Sequence, residues 1–374
     1  MIGRGSNNFF AKWWWQNDKT ILLSFFLLIF LSIILVITAS PFVAIRIGVN
    51  PFYFINNHIF YLFLSLVIIF VVSLLRKRHL LLLVFFGFIA SLLVMLVIIA
   101  FGIEVKGAKR WIYIFGISLQ PSEFMKVLFP TFLAILWKKM EILKKDKLSI
   151  YLSLTLVYAL SISLLLLQPD VGMTILLSIV FIGIIFITGI SYIWVVIVSF
   201  ICSIFSVLAY FIFPHVNYRI NSFLFEEKAY QASKALDAIA SGKFFGRGAG
   251  QGIVKQYLPD SHTDFIFTVG TEEFGLIFSI FLILIYLNII YKIFYLVQKQ
   301  QDSFNIIALS GSMLLLAVQT AIHIASNVNL IPTKGMTLPL ISYGGSSLLS
   351  IAFLIGIILN LSKKDIQNII LKVE

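Results

Sequence analysis

Long apolar segments dominate this sequence and restrict it to folds that a lipid bilayer can hold. A helix needs roughly 20 apolar residues to cross about 30 Å of hydrocarbon. Of the 374 residues, 60% are hydrophobic and 12% are charged, whereas roughly a quarter are charged in a soluble domain. The sequence therefore predicts an all-α polytopic membrane protein with about ten transmembrane helices. The ten segments are about 21–40, 59–75, 79–101, 121–137, 149–167, 171–189, 191–213, 264–297, 304–328 and 339–361.

Basic residues predict the orientation of these helices. With ten spans both termini lie on one side of the membrane, and Lys and Arg are more numerous there than on the opposite side. Because cytoplasmic loops carry an excess of basic residues, we expect both termini to be cytoplasmic. The net charge of +12 is scattered between apolar segments, which argues against nucleic-acid binding. Residues 1–20 would form a cytoplasmic or interfacial segment, 21–362 the membrane domain and 363–374 a cytoplasmic tail.

Two loops on the predicted outer side carry more polar residues than a connection needs. The short loop EVKGAKRW (104–111) breaks the charge bias with three basic residues. A ligand explains Lys109 and Arg110 better than membrane topology does. The second loop, at 214–263, is too long to be a mere connector.

A glycine-rich stretch lies inside the long loop. SGKFFGRGAGQG (241–252) contains five glycines and Arg247. Such a stretch lets backbone N–H groups approach an anion closely. A plain flexible loop is the alternative interpretation.

The stretch LPDSHTDFIFTVGTEEFG (258–275) places carboxylates where the chain enters an apolar segment. Asp264 could be a helix-start carboxylate, which the helix dipole tolerates, or a general base at the boundary between water and lipid. Glu272 and Glu273 lie deeper, where a carboxylate needs a partner or a wet cavity. We expect one of them to face a cavity and the other to pair with a cation or be protonated. His262 is interpreted as a structural residue, because no second metal ligand stands at a suitable spacing.

An ion pair is predicted inside the bundle by LQPSEFMKVLFP (119–130). Glu123 and Lys126 are three residues apart and so share one face of a helix. Paired charges cost far less in an apolar span than a single charge does. The pair would hold the helix in register, line a substrate cavity, or do both.

The stretch IPTKGMTLPLISYGGSSLL (331–349) precedes and opens the last apolar segment. Its small residues permit close helix packing, which is the favoured role of Ser342, Gly344, Gly345, Ser346 and Ser347. Lys334 lies just outside the span and is a candidate contact for a phosphate group.

Together these motifs resemble those of the SEDS family (shape, elongation, division and sporulation), whose members are membrane-embedded peptidoglycan glycosyltransferases. The residues that carry the resemblance are QPSEFMK, GRGAGQG, LPDSHTDFIF with EEFG, and PTKGMTLPLISYGGSS, in family order over about residues 20–362. The last motif and the N-terminal WWW look like the division branch rather than the elongation branch. The chain departs from the family at YQASKA, with Lys234 and Ala235, and at Lys243.

The resemblance implies a SEDS fold and polymerisation of lipid II at the outer face of the bacterial cytoplasmic (inner) membrane, at the division septum. It implies that Asp264 is the catalytic aspartate and that Glu123 and Lys126 form the family's intramembrane pair. The implied partners are a class B penicillin-binding transpeptidase (FtsI-like) and other divisome proteins.

A mechanism with one carboxylate fits this implied reaction. Glycoside hydrolysis often needs two carboxylates because its leaving alkoxide must be protonated. A pyrophosphate leaves as a stable anion, so one base on the attacking hydroxyl is enough for an inverting displacement, with cations on the pyrophosphate. The candidate cations are Lys109, Arg110, Arg247 and Lys334.

No cofactor is required by these residues, although a divalent cation could bridge the pyrophosphate oxygens. An elongation-branch polymerase is the alternative within the family. A lipid II flippase and a scaffold for division proteins are the alternatives from other classes. A flippase would need polar groups through the full membrane depth, and a scaffold would not depend on Asp264.

Overall fold

The structure, a computed structural model, describes residues 9–105, 108–114, 117–190, 230–332 and 335–363, with scattered residues between 192 and 221. Its α-helices are α1 (Phe9–Gln16), α2 (Lys19–Arg46), α3 (Tyr53–Leu74), α4 (Lys77–Phe101), α5 (Pro121–Ile142), α6 (Lys147–Leu167), α7 (Val171–Ile187), α8 (Tyr230–Gly242), α9 (Ile266–Gln298), α10 (Ser303–Asn327) and α11 (Gly345–Leu361). Three short strands lie between α4 and α5, and a single 3₁₀ turn (Val254–Tyr257) follows α8.

Nine of the ten predicted spans coincide with a helix. Within the described part of the chain, six helices (α2, α3, α4, α6, α9 and α10) are long and apolar enough to cross a membrane, and α7 and α11 are shorter apolar helices. Helix α5 occupies the predicted span that carries the ion pair. The predicted span at 191–213 lies largely outside the described residues. The main element of the predicted fold, a bundle of apolar helices, is therefore confirmed.

Side-chain caps explain where several of these helices begin. The Asp18 carboxylate accepts hydrogen bonds from the first backbone N–H groups of α2, and Asp146 and Asp170 do the same for α6 and α7. Pro121 occupies the first turn of α5, where the N–H that proline lacks would have no helical partner. In the core, α11 packs against α3 and α5, and α5 also packs against α4 and α10.

A small antiparallel sheet accompanies the predicted helical bundle. Strands β1 (Ile103–Val105), β2 (Ala108–Ile114) and β3 (Ile117–Leu119) pair in the order β1-β2-β3. The motif EVKGAKRW was expected to be a short loop, but its described residues lie in β1 and β2. The β-branched and aromatic residues of AKRWIYI favour a strand. The three strands were not predicted, because they are much shorter than the apolar segments from which the helices were predicted.

Helix α9 is broken near its start. Gly275 has φ 81° and ψ −179°, so residues 266–274 form a separate half-helix before the longer helix of residues 276–298. The Thr271 and Ser279 hydroxyl oxygens are 2.7 Å apart, although eight residues of continuous helix would separate them by about 12 Å along the axis. The half-helix therefore folds back on the longer helix, so the predicted span at 264–297 consists of a half-helix followed by a helix of residues 276–298.

Candidate active site

A polar cavity of about 360 Å³ lies between the helices and brings four of the predicted site residues together. Asp264, Glu123, Lys126 and Arg110 all line it. The walls come from the sheet, the start of α5 and α7, the segment that ends at Asp264, helix α10 and residues 335–347. The cavity therefore holds carboxylates, cations and hydroxyl groups, which is the content that a binding site for a charged, hydroxyl-rich ligand needs.

Backbone contacts position Asp264. Its N–H donates to the Asp260 carbonyl at 3.0 Å, and its own carbonyl accepts from the Asn327 side chain at 2.8 Å. Helix α9 has Phe265 at its N-cap position. The Asp264 side chain is half-buried and lies beside Gly335, where an added Cβ would be 3.2 Å from Oδ2. Gly335 has φ 56°, so this wall is built for a residue without a side chain.

The side-chain amide of Asn327 accepts two hydrogen bonds and donates two, which is its full capacity. Its Oδ1 accepts from the Thr268 N–H at 3.2 Å and from the Thr268 hydroxyl at 2.7 Å. Its Nδ2 donates to the carbonyls of Asp264 at 2.8 Å and His323 at 2.9 Å. Since Asn327 is fully buried at the end of α10, it fixes the start of the half-helix, and with it the backbone of Asp264.

The predicted ion pair is present and lines the cavity. Lys126 Nζ lies 2.6 Å from Glu123 Oε2, and both side chains are buried. The Ser350 hydroxyl donates to the same carboxylate oxygen at 3.4 Å, which ties α11 to α5. The two proposed roles, a structural contact and a cavity lining, are therefore both consistent with the position of this pair.

Residues 335–347 form one wall and are fastened to α10 and to the Asp264 segment. His323 Nδ1 bonds to the Met336 carbonyl at 2.6 Å, and Gln319 Nε2 donates to the Thr337 carbonyl at 3.0 Å. The Ser342 hydroxyl donates to the Thr263 carbonyl at 2.6 Å. This wall thus connects α10 to the residue that directly precedes Asp264.

Gly345 and Ser346 make close helix contacts, as predicted for the small residues of this wall. A Cβ on Gly345 would lie 2.5 Å from the Tyr61 ring, so the close approach of α11 to α3 needs glycine there. The Ser346 hydroxyl accepts from the Gln120 N–H at 3.0 Å, which joins α11 to the start of α5. Lys334 lies outside the described residues, so its role as a phosphate contact stays a prediction.

Only part of the predicted cation set lines this cavity. Arg110 does, but its guanidinium also donates to the carbonyls of Gln168 at 2.9 Å and of Pro169, and it lies 3.7 Å from Asp170. Lys109 is not among the described residues that line the cavity. Much of the hydrogen-bonding capacity of Arg110 is therefore spent on the turn between α6 and α7.

Glu272 and Glu273 are structural, and the expectation that one faces a cavity was wrong. The Glu272 carboxylate accepts the backbone N–H groups of Ile253 at 2.7 Å, Val254 at 2.7 Å and Lys255 at 2.9 Å. Glu273 forms a buried salt bridge with Lys255, as the expected pairing with a cation required. Neither glutamate is among the described residues that line the cavity, and both carboxylates contact residues 253–255, just after the glycine-rich stretch.

The glycine-rich loop, for which an anion cradle was predicted, caps the half-helix. The N–H groups of Arg247 and Gly248 donate to the carbonyls of Glu272 at 3.0 Å and Glu273 at 2.9 Å. The loop carbonyl of Lys243 accepts the N–H of Leu276 at 2.9 Å. These bonds satisfy backbone groups that the break exposes. The Arg247 side chain is exposed and is not among the described residues that line the cavity, so its predicted contact with substrate is not supported.

His262 packs between aromatic rings, in agreement with a structural role. Its ring centroid lies 4.3 Å from that of Phe54 and 5.2 Å from that of Tyr343. Burial lowers the pKa of His262 to about 4, so the ring is neutral near pH 7. Among the described residues, no group of three or more His, Cys, Asp or Glu side chains could hold a metal ion.

Comparison with known proteins identifies the family. The sequence model described as "Cell cycle protein", for FtsW, RodA and SpoVE, matches residues 18–367. The chain belongs to the FtsW/RodA/SpoVE family. This result confirms the SEDS resemblance that the four motifs carry.

Similar family members include two proteins named probable peptidoglycan glycosyltransferase FtsW. The one from Caulobacter vibrioides is 38% identical over 338 residues, which is 89% of this chain and 86% of that protein. The one from Hydrogenovibrio crunogenus is 30% identical over 348 residues, which is 90% of this chain and 89% of that protein.

Solved structures of family members share the fold. A chain of a peptidoglycan synthase complex, studied for the structural coordination of polymerization and crosslinking, has a TM-score of 0.77 and 23% identity, covering 93% of this chain and 98% of that one. The rod shape determining protein RodA of Thermus thermophilus has a TM-score of 0.69 and 24% identity, covering 93% of this chain and 97% of that one. The helical family fold is therefore present here, including most of the predicted spans.

Sequence reasoning missed three buried residues that line the cavity or hold the half-helix. Lys255 neutralises Glu273, Asn327 holds the Asp264 backbone, and Gln319 lines the cavity. Lys255 precedes Glu273 by 18 residues, so no helical spacing connects them. Asn327 and Gln319 are polar residues in an apolar helix, and that position alone could have nominated them.

Proposed function

We propose that this chain is a peptidoglycan glycosyltransferase of cell division that polymerises lipid II, with Asp264 as the general base. The observation that carries the proposal is that Asp264 and the Glu123–Lys126 pair line one cavity. Membership of the family and the relatives named peptidoglycan glycosyltransferase FtsW support the reaction class and the division branch.

The chemistry needs one carboxylate at the acceptor sugar. Asp264 takes the proton from the attacking 4-hydroxyl group as that oxygen bonds to the anomeric carbon of the donor sugar. The bond from this carbon to undecaprenyl pyrophosphate breaks on the opposite face, so the configuration inverts. A well-placed base accelerates such a step by about 10²–10⁴-fold.

Positive charge in the cavity stabilises the departing pyrophosphate. Lys126 and Arg110 line the same space as Asp264. Each has an acidic neighbour, Glu123 for Lys126 and Asp170 for Arg110, so neither cation is a bare charge when the substrate is absent. Charge-assisted hydrogen bonds from such groups to phosphate oxygens are roughly twice as strong as neutral ones. Lys334 is a third candidate cation from the sequence, and a divalent ion on the pyrophosphate stays a prediction.

The partner proposed for this enzyme is a class B penicillin-binding transpeptidase of the FtsI type. The solved relative in a peptidoglycan synthase complex, where polymerization and crosslinking are coordinated, supports a crosslinking partner. We place the pair, with other divisome proteins, in the bacterial cytoplasmic membrane at the septum, with both termini cytoplasmic.

The proposal is tested by incubating the purified protein with lipid II in lipid nanodiscs, with and without the transpeptidase. Glycan strands should form with the unaltered protein, and Asp264→Asn should reduce their formation by at least about 100-fold because an amide is not a base. Asp237→Asn is the matched control, since Asp237 is an exposed carboxylate on α8 outside the cavity.

The outcomes separate the alternatives. Polymerisation by Asp264→Asn would overturn the assignment of the base. In sealed vesicles that contain the protein, transport of lipid II across the bilayer without polymer formation, with or without the partner, would favour a flippase. Normal cell division supported by Asp264→Asn would favour a scaffold.

A further inference from the structure

A glutamine on α10 lines the cavity and carries a side-chain oxygen without a partner in the described part of the chain. Gln319 is 1% exposed and lines the cavity. Its Nε2 donates to the Thr337 carbonyl at 3.0 Å. A carbonyl only accepts hydrogen bonds, so the NH₂ group must face Thr337, and Oε1 points away from that carbonyl within the amide plane. In the part of the chain that the structure describes, Oε1 has no hydrogen-bond partner.

An unpaired buried acceptor is unusual and costs free energy, because it has lost its bond to water. A donor group of the protein would remove this cost, but none reaches Oε1 in the described part of the chain. A ligand bound in the cavity can supply the missing donor instead. Thr320, the next residue along α10, also has a buried oxygen without a partner in the described part of the chain, but it is not among the described residues that line the cavity.

The chemistry of this wall suits a sugar ring better than a phosphate. An amide oxygen repels an anion and accepts from an N–H or O–H group. Beside Gln319, the Thr337 and Ser347 hydroxyl oxygens lie 2.6 Å apart, and both residues line the cavity. The cations Lys126 and Arg110 come from α5 and the sheet. Uncharged polar groups on one set of elements and cations on another would receive different parts of a substrate that has both sugar and phosphate.

We propose that Gln319 is a substrate-binding residue whose Oε1 accepts a hydrogen bond from a donor group of an amino sugar, either an acetamido N–H or a hydroxyl. The inference rests on the proposed function, because lipid II provides both kinds of donor. A site that depends on such a bond discriminates against an analogue that lacks the donor, since the buried acceptor is then left unpaired. Gln319 therefore contributes to selection of the sugar and has no part in the proton transfer.

Binding of lipid II is measured with Asp264→Asn protein in nanodiscs, so that turnover does not consume the ligand. Adding Gln319→Met, which has a similar length and no acceptor oxygen, should raise the Kd about tenfold, the value of one buried hydrogen bond. Adding Thr320→Val, the matched control, should leave the Kd unchanged. Equal Kd values with and without the Gln319→Met substitution would overturn the proposal.

Substrate analogues identify the donor and remain informative if Gln319→Met does not fold. Lipid II with methylated acetamido nitrogens, and deoxy analogues that each lack one free hydroxyl, are tested on the Asp264→Asn protein with Gln319 intact. One analogue should bind about tenfold more weakly, and this loss should disappear with Gln319→Met.

Failure of the inference is distinct from failure of the proposed function. If every analogue binds as tightly as lipid II, or if the loss persists with Gln319→Met, Oε1 does not bind the sugar. If lipid II itself does not bind to the Asp264→Asn protein and the unaltered protein makes no glycan, the proposed function fails first.

Discussion

The salt bridge between Lys255 and Glu273 gives the sharpest test of how the half-helix is held. Lys255 is 1% exposed, and so is Glu273. Lys255 Nζ also donates to the Thr38 carbonyl at 2.7 Å, which ties the loop to α2. Lys255→Met would leave the Glu273 carboxylate buried without its cation. Breaking a buried pair in this way costs about 3–5 kcal/mol.

The double substitution separates loss of the pair from loss of either side chain. Lys255→Met with Glu273→Met removes both charges, and replacement of a whole buried pair by apolar residues is often neutral or stabilising by about 1–4 kcal/mol. We therefore expect the double variant to be more stable than either single variant. The loss of unfolding free energy in the double variant should be smaller than the sum of the losses in the two single variants by more than about 3 kcal/mol.

The free energy of unfolding is measured by titration with SDS in mixed micelles, alongside glycan polymerisation in nanodiscs. The matched control is Lys234→Met with Asp237→Leu on α8, which removes an exposed pair whose atoms are 3.3 Å apart. Exposed pairs contribute about 0–1 kcal/mol, so this control should hardly change the free energy of unfolding. The reasoning about the buried pair would be refuted if Lys255→Met were as stable as the unaltered protein. It would also be refuted if the double variant lost as much unfolding free energy as the two single variants together.

Four further substitutions test the cavity and its supports. Gly335→Ala should lower the initial rate of polymerisation at normal yield, because the new Cβ lies 3.2 Å from Asp264 Oδ2 on backbone with φ 56°; an unchanged rate would show that the carboxylate has room to move. Asn327→Leu should cost about 1–3 kcal/mol for each buried group left unpaired, measured by SDS titration; a stable variant would contradict the network. Glu123→Gln or Lys126→Met should reduce protein yield on quantitative immunoblots, whereas normal yield with lost polymerisation would indicate a role in catalysis.

Hydropathy and helix geometry account for what could be predicted. The apolar segments are long enough that a helix is the only element to satisfy their backbone in lipid, so most spans were predicted from length alone. The spacing of Glu123 and Lys126 fixes them on one helix face, and their 2.6 Å contact follows from that spacing. The position of Asp264 before an apolar segment placed it near a helix start, where the structure has it.

Tertiary contacts decide what could not be predicted. Gly275 lies in an apolar run, and glycine occurs in continuous membrane helices as well as in broken ones. Its break needs the glycine-rich loop, because a Cβ on Gly275 would meet the Phe244 carbonyl, and the loop supplies the partners for the backbone groups that the break frees. The same loop was predicted to bind an anion. Its glycine content shows that the loop backbone can approach another group closely, but it does not show which group that is.

The break also explains why so many charges surround the start of this span. Both ends of the half-helix are held by buried polar side chains, Asn327 at the end next to Asp264 and Glu272 with Lys255 at the other. A nine-residue helix would be marginal in isolation; here its ends are fixed by hydrogen bonds and an ion pair of buried side chains. The carboxylates at depth, Glu272 and Glu273, thus support the half-helix, whereas Asp260 and Asp264 near its start line the cavity. Loss of a support should therefore reduce catalysis by displacing Asp264, with no contact between that support and the substrate.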